Sequence, residues 1–257
     1  SDTEFGVFEL GMDKKGEINN LSKIVRPEIG VITNISGAHF KNFNTLKDIA
    51  KAKGEIIDNI LKNGNLILNK DDKFFNYFLK KAKKNKINVV SFSFRKKADI
   101  FLSSIKNENK YFRLKIIVNK KTFYFDSPYS TKSFIYNILA CVATLSILNL
   151  NLEKIKKKFN NFKIPIGRGD IKDVKKFKKK FKFIDESYNA NPLSMSSAIR
   201  NMGHYKIKKN SKKIAFLGDM LELGKKSKKL HKNLSSIINK SDIDKVFVYG
   251  KHIKETF

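Results

Sequence analysis

The chain has 257 residues, a formal net charge of +30, 41% apolar residues and 12% aromatics. That much core-forming material excludes a disordered basic tail, and the length allows one large domain or two ordinary ones. No run approaches the roughly 18 apolar residues of a membrane span, Ser1-Asp2-Thr3-Glu4 does not read as a signal peptide, and a single cysteine, Cys141, excludes an internal disulfide and suits a reducing cytoplasm.

Short β-rich runs alternate with helical periodicity, which predicts an α/β fold. Residues 5–10 and 29–34 read as buried strands, each followed by a Gly-containing loop. Residues 44–63 read as a helix, with Leu46, Ile49, Ala50, Ile56, Ile57, Ile60 and Leu61 on one stripe and Asn63-Gly64 as its stop. Residues 66–68, a helix near 73–84 and residues 89–94 continue the alternation. Residues 111–118 and 122–125 suggest an antiparallel hairpin, and 131–148 a second strong helix. The Pro and Gly of Ile164-Pro165-Ile166-Gly167-Arg168-Gly169 predict a hinge at about 164–170. A second α/β unit follows: strand 181–185, helix 193–202, strand 213–217, helix 227–239 and strand 245–248. A further helix is expected to begin within 250–257. The domains are therefore expected at 1–165 and 166–257.

The charge by itself invites a nucleic-acid reading. It consists of 49 Lys and only 5 Arg, whereas base edges and phosphates favour the planar fork of Arg. Lys, Asn, Ile and Phe, all with AT-rich codons, make up about half the chain, so compositional drift explains the excess without a partner. The densest run, Lys175-Lys176-Phe177-Lys178-Lys179-Lys180-Phe181-Lys182, reads as a solvated connector entering a strand, with an aromatic-interleaved binding groove as the alternative. The expectation is no nucleic-acid partner.

Three residues carry potential chemistry. Lys53 falls in the middle of the apolar stripe, where a lysine needs a reason. Either its stem packs and its ammonium escapes to water, or desolvation leaves a neutral, reactive amine. Glu9 and His39 each follow an apolar run at the carboxyl end where open α/β sheets place ligands, and a carboxylate with an imidazole there could share a divalent cation.

Longer strings surround these residues. Glu9-Leu10-Gly11-Met12, Gly16-Glu17-Ile18, Arg26-Pro27, Ile32-Thr33-Asn34-Ile35-Ser36-Gly37-Ala38-His39 and Ala50-Lys51-Ala52-Lys53-Gly54-Glu55-Ile56 resemble the central ATPase domain of the Mur ligases. Asp185-Glu186-Ser187-Tyr188-Asn189-Ala190-Asn191-Pro192 and Leu217-Gly218-Asp219-Met220-Leu221-Glu222-Leu223-Gly224 look like the C-terminal domain of one branch. The resemblance implies the remainder of a P-loop-type central domain followed by a Rossmann-like domain. It implies ATP-dependent ligation of D-alanyl-D-alanine to a UDP-N-acetylmuramoyl-tripeptide through an acyl phosphate, in cytoplasmic peptidoglycan precursor synthesis by a monomer.

By the family motifs, Lys53 matches a carbamylated lysine and, with Glu9 and His39, a ligand of Mg2+. Lys53 and His39 are then the catalytic candidates. Asn137 matches an adenine contact, and Arg168 a nucleotide-facing arginine. Glu186 and Tyr188 match positions brought toward the nucleotide on closure. Asn189 and Asn191 are either substrate-proximal or an Asx-type turn before Pro192. Asp219 and Glu222 are expected to be structural or substrate-proximal. Two departures stand out. No Gly-x-x-x-x-Gly-Lys-Ser/Thr string occurs, so the chain is expected to be an incomplete ligase, inactive alone. Ser133-Phe134 replaces the His-Asn pair expected ahead of Asn137. The alternatives are another Mur-family or folylpolyglutamate-type ligase, and a basic nucleic-acid-binding module.

Overall fold

A computed structural model describes residues 2–37, 40–176 and 178–257. The chain divides into two compact units, one of Ser1–Ile35 with Thr45–Phe162 and the other of Ser36–Asn44 with Lys163–Phe257. His39 lies outside the described residues, as does Phe177 of the lysine-rich run.

The first unit opens with residues 2–15 in neither helix nor strand. The strand expected at 5–10 does not form. A strand needs a ladder partner, no described strand pairs with this segment, and Phe5, Val7 and Phe8 are exposed. Helix α1 (Glu17–Val25) follows, and then β1 (Ile29–Ile32). Helix α2 (Leu46–Lys53) is started by a Thr45/Asp48 capping box. It does not run on to residue 63 as the stripe predicts, because the chain tightens into a 3-10 segment at Gly54–Asn59. Tertiary contacts hold that tightening. Gly54 is buried so close to Phe78 that a Cβ would lie 3.1 Å from the ring, and Lys81 Nζ donates to the Gly54 carbonyl at 2.8 Å.

Next come β2 (Asn65–Asn69), α3 (Phe75–Lys84) and β3 (Asn88–Ser93). Strand β4 (Ile100–Asn107), which the sequence did not reveal, leads into β5 (Phe112–Val118) and β6 (Lys121–Ser127). The β5–β6 turn is two residues, Asn119 and Lys120, both at positive φ, the geometry that matches strand twist in a tight hairpin. The six strands form one sheet in the order β1 to β6, parallel from β1 to β4 and antiparallel from β4 to β6. Helix α4 (Lys132–Ile147) packs against β2, β3 and β4. The core between them includes Ile67, Phe92, Leu114, Ile116, Ile138 and Leu139. Helix α5 (Leu152–Ile155) and a 3-10 turn close the unit, with Phe159 edge-on to Phe125 at 5.1 Å.

In the second unit the lysine-rich run does enter a strand, but not as a connector: Lys175 and Lys176 end β7 (Asp170–Lys176) and pair antiparallel with Lys180 and Lys179 of β8 (Lys179–Asp185). Helix α6 (Pro192–His204) follows. Strand β9 (Ile214–Gly218) pairs in parallel with β10 (Lys245–Tyr249). Between them lie α7 (Ser227–Lys232) and α8 (Leu234–Ile238), one expected helix in two pieces. Residues Ile253–Thr256 form a 3-10 turn. The small core here is Ile199, Met220, Leu223, Leu234 and Ile253. The whole is a mixed α/β architecture with a parallel-rich sheet. Among the described residues no helix is long and apolar enough to cross a membrane.

Candidate active site

Parallel strands that share a direction bring the loops at their carboxyl ends together. In the first unit these loops follow β1, β2 and β3, and short side chains stitch them. Asn69 Nδ2 donates to the Thr33 carbonyl at 3.0 Å, and Asn69 Oδ1 accepts the Asp71 N–H at 2.9 Å. Asp72 accepts the Ile35 N–H on Oδ2 and the Phe74 N–H on Oδ1, both at 2.8 Å. Asp71 accepts from the Phe94 N–H at 2.7 Å, Ser93 Oγ at 3.0 Å and Tyr136 Oη at 2.9 Å. Burial alone would raise the Asp71 carboxyl, but these donors bring it below the ordinary aspartate value. The Tyr136 hydroxyl is pushed up by burial and by the same carboxylate.

Lys53 ends α2 beside these loops. It is half-buried and follows the buried Ala52, and its side chain makes no hydrogen bond or ion pair among the described residues. Burial pushes its ammonium below the ordinary lysine value, while Asp72 and then Glu9 pull it up. The structure therefore brings Glu9, Lys53 and Asp72 into one electrostatic neighbourhood. Sequence reasoning missed Asp72; the available signal was Asn69-Lys70-Asp71-Asp72 at the carboxyl end of an apolar run. Among the described residues no three His, Cys, Asp or Glu side chains come close enough to hold a metal ion. The two carboxylates whose charge reaches Lys53 are hard oxygen donors of the kind Mg2+ takes, so the donor chemistry fits that ion. Asn137 is exposed on α4, one residue after Tyr136.

In the second unit Arg168, Glu186 and Tyr188 come together at the open end of the β7–β8 hairpin. Gly167 and Gly169 take φ of 77° and 98°, values that favour glycine. The Tyr188 N–H donates to the Gly167 carbonyl at 3.0 Å, and the Gly169 N–H to the Asp185 carbonyl at 2.6 Å. The Arg168 guanidinium sits 4.4 Å from the centroid of the Tyr188 ring, a cation–π contact. Burial of the Glu186 carboxyl, then Asp185 and Asp170, raise it above the ordinary glutamate value.

The remaining motif residues are occupied with structure. Asn191 caps α6, its Oδ1 accepting the Leu193 and Ser194 N–H groups at 3.0 Å each. Asn189 is exposed. Asp219 accepts three backbone N–H groups, from Lys251, His252 and Ile253, at 2.9, 2.9 and 2.7 Å. Gly250 lies against that carboxylate so closely that a Cβ would sit 2.5 Å from it. Buried His231 accepts the Met220 N–H on Nε2 at 2.9 Å while its Nδ1 faces the Ser227 carbonyl at 2.8 Å, which assigns the ring proton to Nδ1. The backbone carbonyl of Glu222 accepts the Lys41 N–H.

Comparison with known proteins finds two family domains along the chain. The model of the Mur ligase middle domain matches residues 1–145, and that of the Mur ligase, glutamate ligase domain matches residues 168–256. The UDP-N-acetylmuramoyl-tripeptide–D-alanyl-D-alanine ligase of Rickettsia prowazekii is 33% identical over 254 residues, covering 98% of this chain and 55% of the relative. The enzyme of the same name from Bacillus subtilis is 32% identical over 249 residues, covering 97% and 52%. The crystal structure of MurF from Acinetobacter baumannii superposes with a TM-score of 0.84 at 29% identity, covering 96% of this chain and 52% of that one. The chain thus spans about half the length of the curated relatives it matches.

Proposed function

The chain belongs to the Mur ligase family, and on that premise we propose that its two units serve the ATP-dependent joining of D-alanyl-D-alanine to a UDP-N-acetylmuramoyl-tripeptide. Relatives bearing that name align over nearly the whole chain, which supports this branch over others. The observation that carries the chemistry is Lys53, an inward lysine with no hydrogen-bond partner of its own at the carboxyl ends of parallel strands.

In the proposed reaction the terminal carboxylate of the UDP-peptide takes the γ-phosphoryl group of ATP, and ADP leaves. The amine of the dipeptide then attacks the acyl phosphate, forming the amide and releasing inorganic phosphate. Glu9, His39 and Lys53 would hold Mg2+, which when bound neutralises phosphate charge. Burial favours the uncharged amine of Lys53, the form that combines with carbon dioxide to give a carbamate and a proton. The carbamate oxygens would replace a positive charge by a ligand of the hard type that Glu9 already offers. Arg168, steadied on the Tyr188 ring, presents its fork to phosphate or ribose. Glu186 sits beside it, and Asn137 offers an amide to the base. Asn189 and Asn191 lie on the loop that would approach substrate, Asn191 as its organiser. The surroundings are cytoplasmic, and the acting form is a monomer without a nucleic-acid partner.

Phosphate release by the product of the complete open reading frame tests this reading. With ATP, Mg2+ and UDP-N-acetylmuramoyl-tripeptide, turnover should require D-alanyl-D-alanine. Turnover that instead requires glutamate or another single amino acid would move the chain to another branch.

A further inference from the structure

Glu9 sits in a segment with no helix or strand, is exposed, and makes no hydrogen bond or ion pair among the described residues. Its place beside Lys53 is therefore set by whatever anchors the chain next to it. The first anchor is Met12, buried three residues later. The Asp13 and Lys14 N–H groups then close onto Glu17 Oε2 at 2.6 and 2.9 Å. At Gly16 the segment meets α1, whose N-cap glycine offers no side chain to its open N–H groups.

Glu55 supplies what is missing. The Gly16 N–H donates to both of its carboxylate oxygens, at 2.9 and 3.1 Å, and the Asn19 N–H donates to Oε2 at 3.1 Å. An anion at a helix N-terminus is favoured by the helix dipole as well as by these bonds. Glu55 lies two residues after Lys53, in the tightened 3-10 segment. One turn further along the same seam, Asn59 Nδ2 donates to Asn19 Oδ1 at 3.0 Å and to the buried Ser22 Oγ at 2.9 Å. The Lys53 end of the chain is thus tied to the start of α1, where the Glu9 segment ends, through the Glu55 carboxylate, and to the middle of α1 through Asn59.

We propose that Glu55 is a positioning residue: its carboxylate, by binding the start of α1, fixes the Glu9 segment against Lys53 and so sets the spacing of the cation-binding group. This rests on the reading of Glu9 and Lys53 given above. A simple helix cap would lower stability when removed but leave cation affinity in the folded protein alone. A positioning residue behind a metal site typically costs 10–100-fold in affinity.

The test is Mn2+ affinity, by electron paramagnetic resonance in the presence of ADP, on the product of the complete open reading frame, with thermal unfolding of each variant alongside. Glu55→Ala should weaken Mn2+ binding about tenfold. Glu55→Gln, which keeps one accepting oxygen, should fall between, and serves alone if the alanine variant does not fold. Asn59→Ala should lower the melting temperature and leave Mn2+ affinity within about twofold. Glu9→Gln reports on the underlying reading. If it weakens Mn2+ while both Glu55 variants bind like wild type, Glu55 is only a cap and the positioning role is overturned. If Glu9→Gln has no effect, the cation reading falls and the positioning role falls with it.

Discussion

Lys53 and Lys213 are both drawn out of full solvent exposure, and their surroundings differ in one respect. Lys213, just before β9, is 5% exposed, and its Nζ donates to the Gly203 carbonyl at 2.6 Å and to Asp242 at 2.7 Å. Lys53, at the end of α2, is half-buried with no such bond and feels Asp72 and Glu9 only through space. A buried ammonium whose donors are used is part of the framework, since it has recovered most of what desolvation cost. One whose donors are unused bears the desolvation cost without that return, which moves its ammonium below the ordinary lysine value. The same contrast separates Asp219, Asp71 and Asn191, all with their acceptors filled, from Glu9.

That contrast can be broken by experiment. Its strongest form is Lys53→Ala in the product of the complete open reading frame. Ligase turnover should fall about 10²–10³-fold with the unfolding free energy changed by less than about 1 kcal/mol, and short carboxylic acids should restore part of the rate. Urea titration of Lys213→Ala should show the reverse, a loss of about 2 kcal/mol, with Lys213→Met losing less because the buried stem is kept. An equal effect on stability from both lysines would erase the distinction. Removing a filled acceptor of ordinary kind, Asn191→Ala, should cost about 1 kcal/mol in the same titration.

The smallest effect is a slope. The Asp71 carboxyl lies below its ordinary value in the folded chain, so its contribution to stability is complete above about pH 4. That contribution is lost as the pH falls through the folded value, because the folded state then has to take up a proton that the unfolded state already holds. Asp71→Asn should be less stable than wild type at pH 6, and its unfolding midpoint should fall less steeply between about pH 4 and pH 2.

Periodicity and turn chemistry made much of the first sheet legible. Strands β2, β3 and β5–β6 are short apolar runs bounded by Asn, Asp or Gly, and α4 is a long apolar helix. Strand β4 was hidden because its second half, from Ser103 to Asn107, faces solvent and lacks an apolar alternation. Helix α1 was hidden because its N-cap is Gly16 and the capping carboxylate arrives from Glu55, far along the chain. The length of α2 was overestimated for a related reason, since the stripe continues through the 3-10 segment while the hydrogen bonding does not. At the site, Lys53 was legible as a charge on an apolar stripe, whereas Asp72 looked like any hydrophilic loop residue until the strand ends were brought together. The strings that distinguish the branch, around Asn191 and Asp219, turn out to hold caps and backbone ties. A distinctive string identifies a relative more reliably than it identifies a reacting group.

The proposed role of Lys53 requires an amine that can be uncharged. Carbon-13 NMR of the product of the complete open reading frame in ¹³C-bicarbonate at neutral pH tests it most directly. One protein carbamate resonance is expected, and it should disappear in Lys53→Arg and persist in Lys213→Arg. No carbamate in the wild type, or one that survives in Lys53→Arg, would contradict that role.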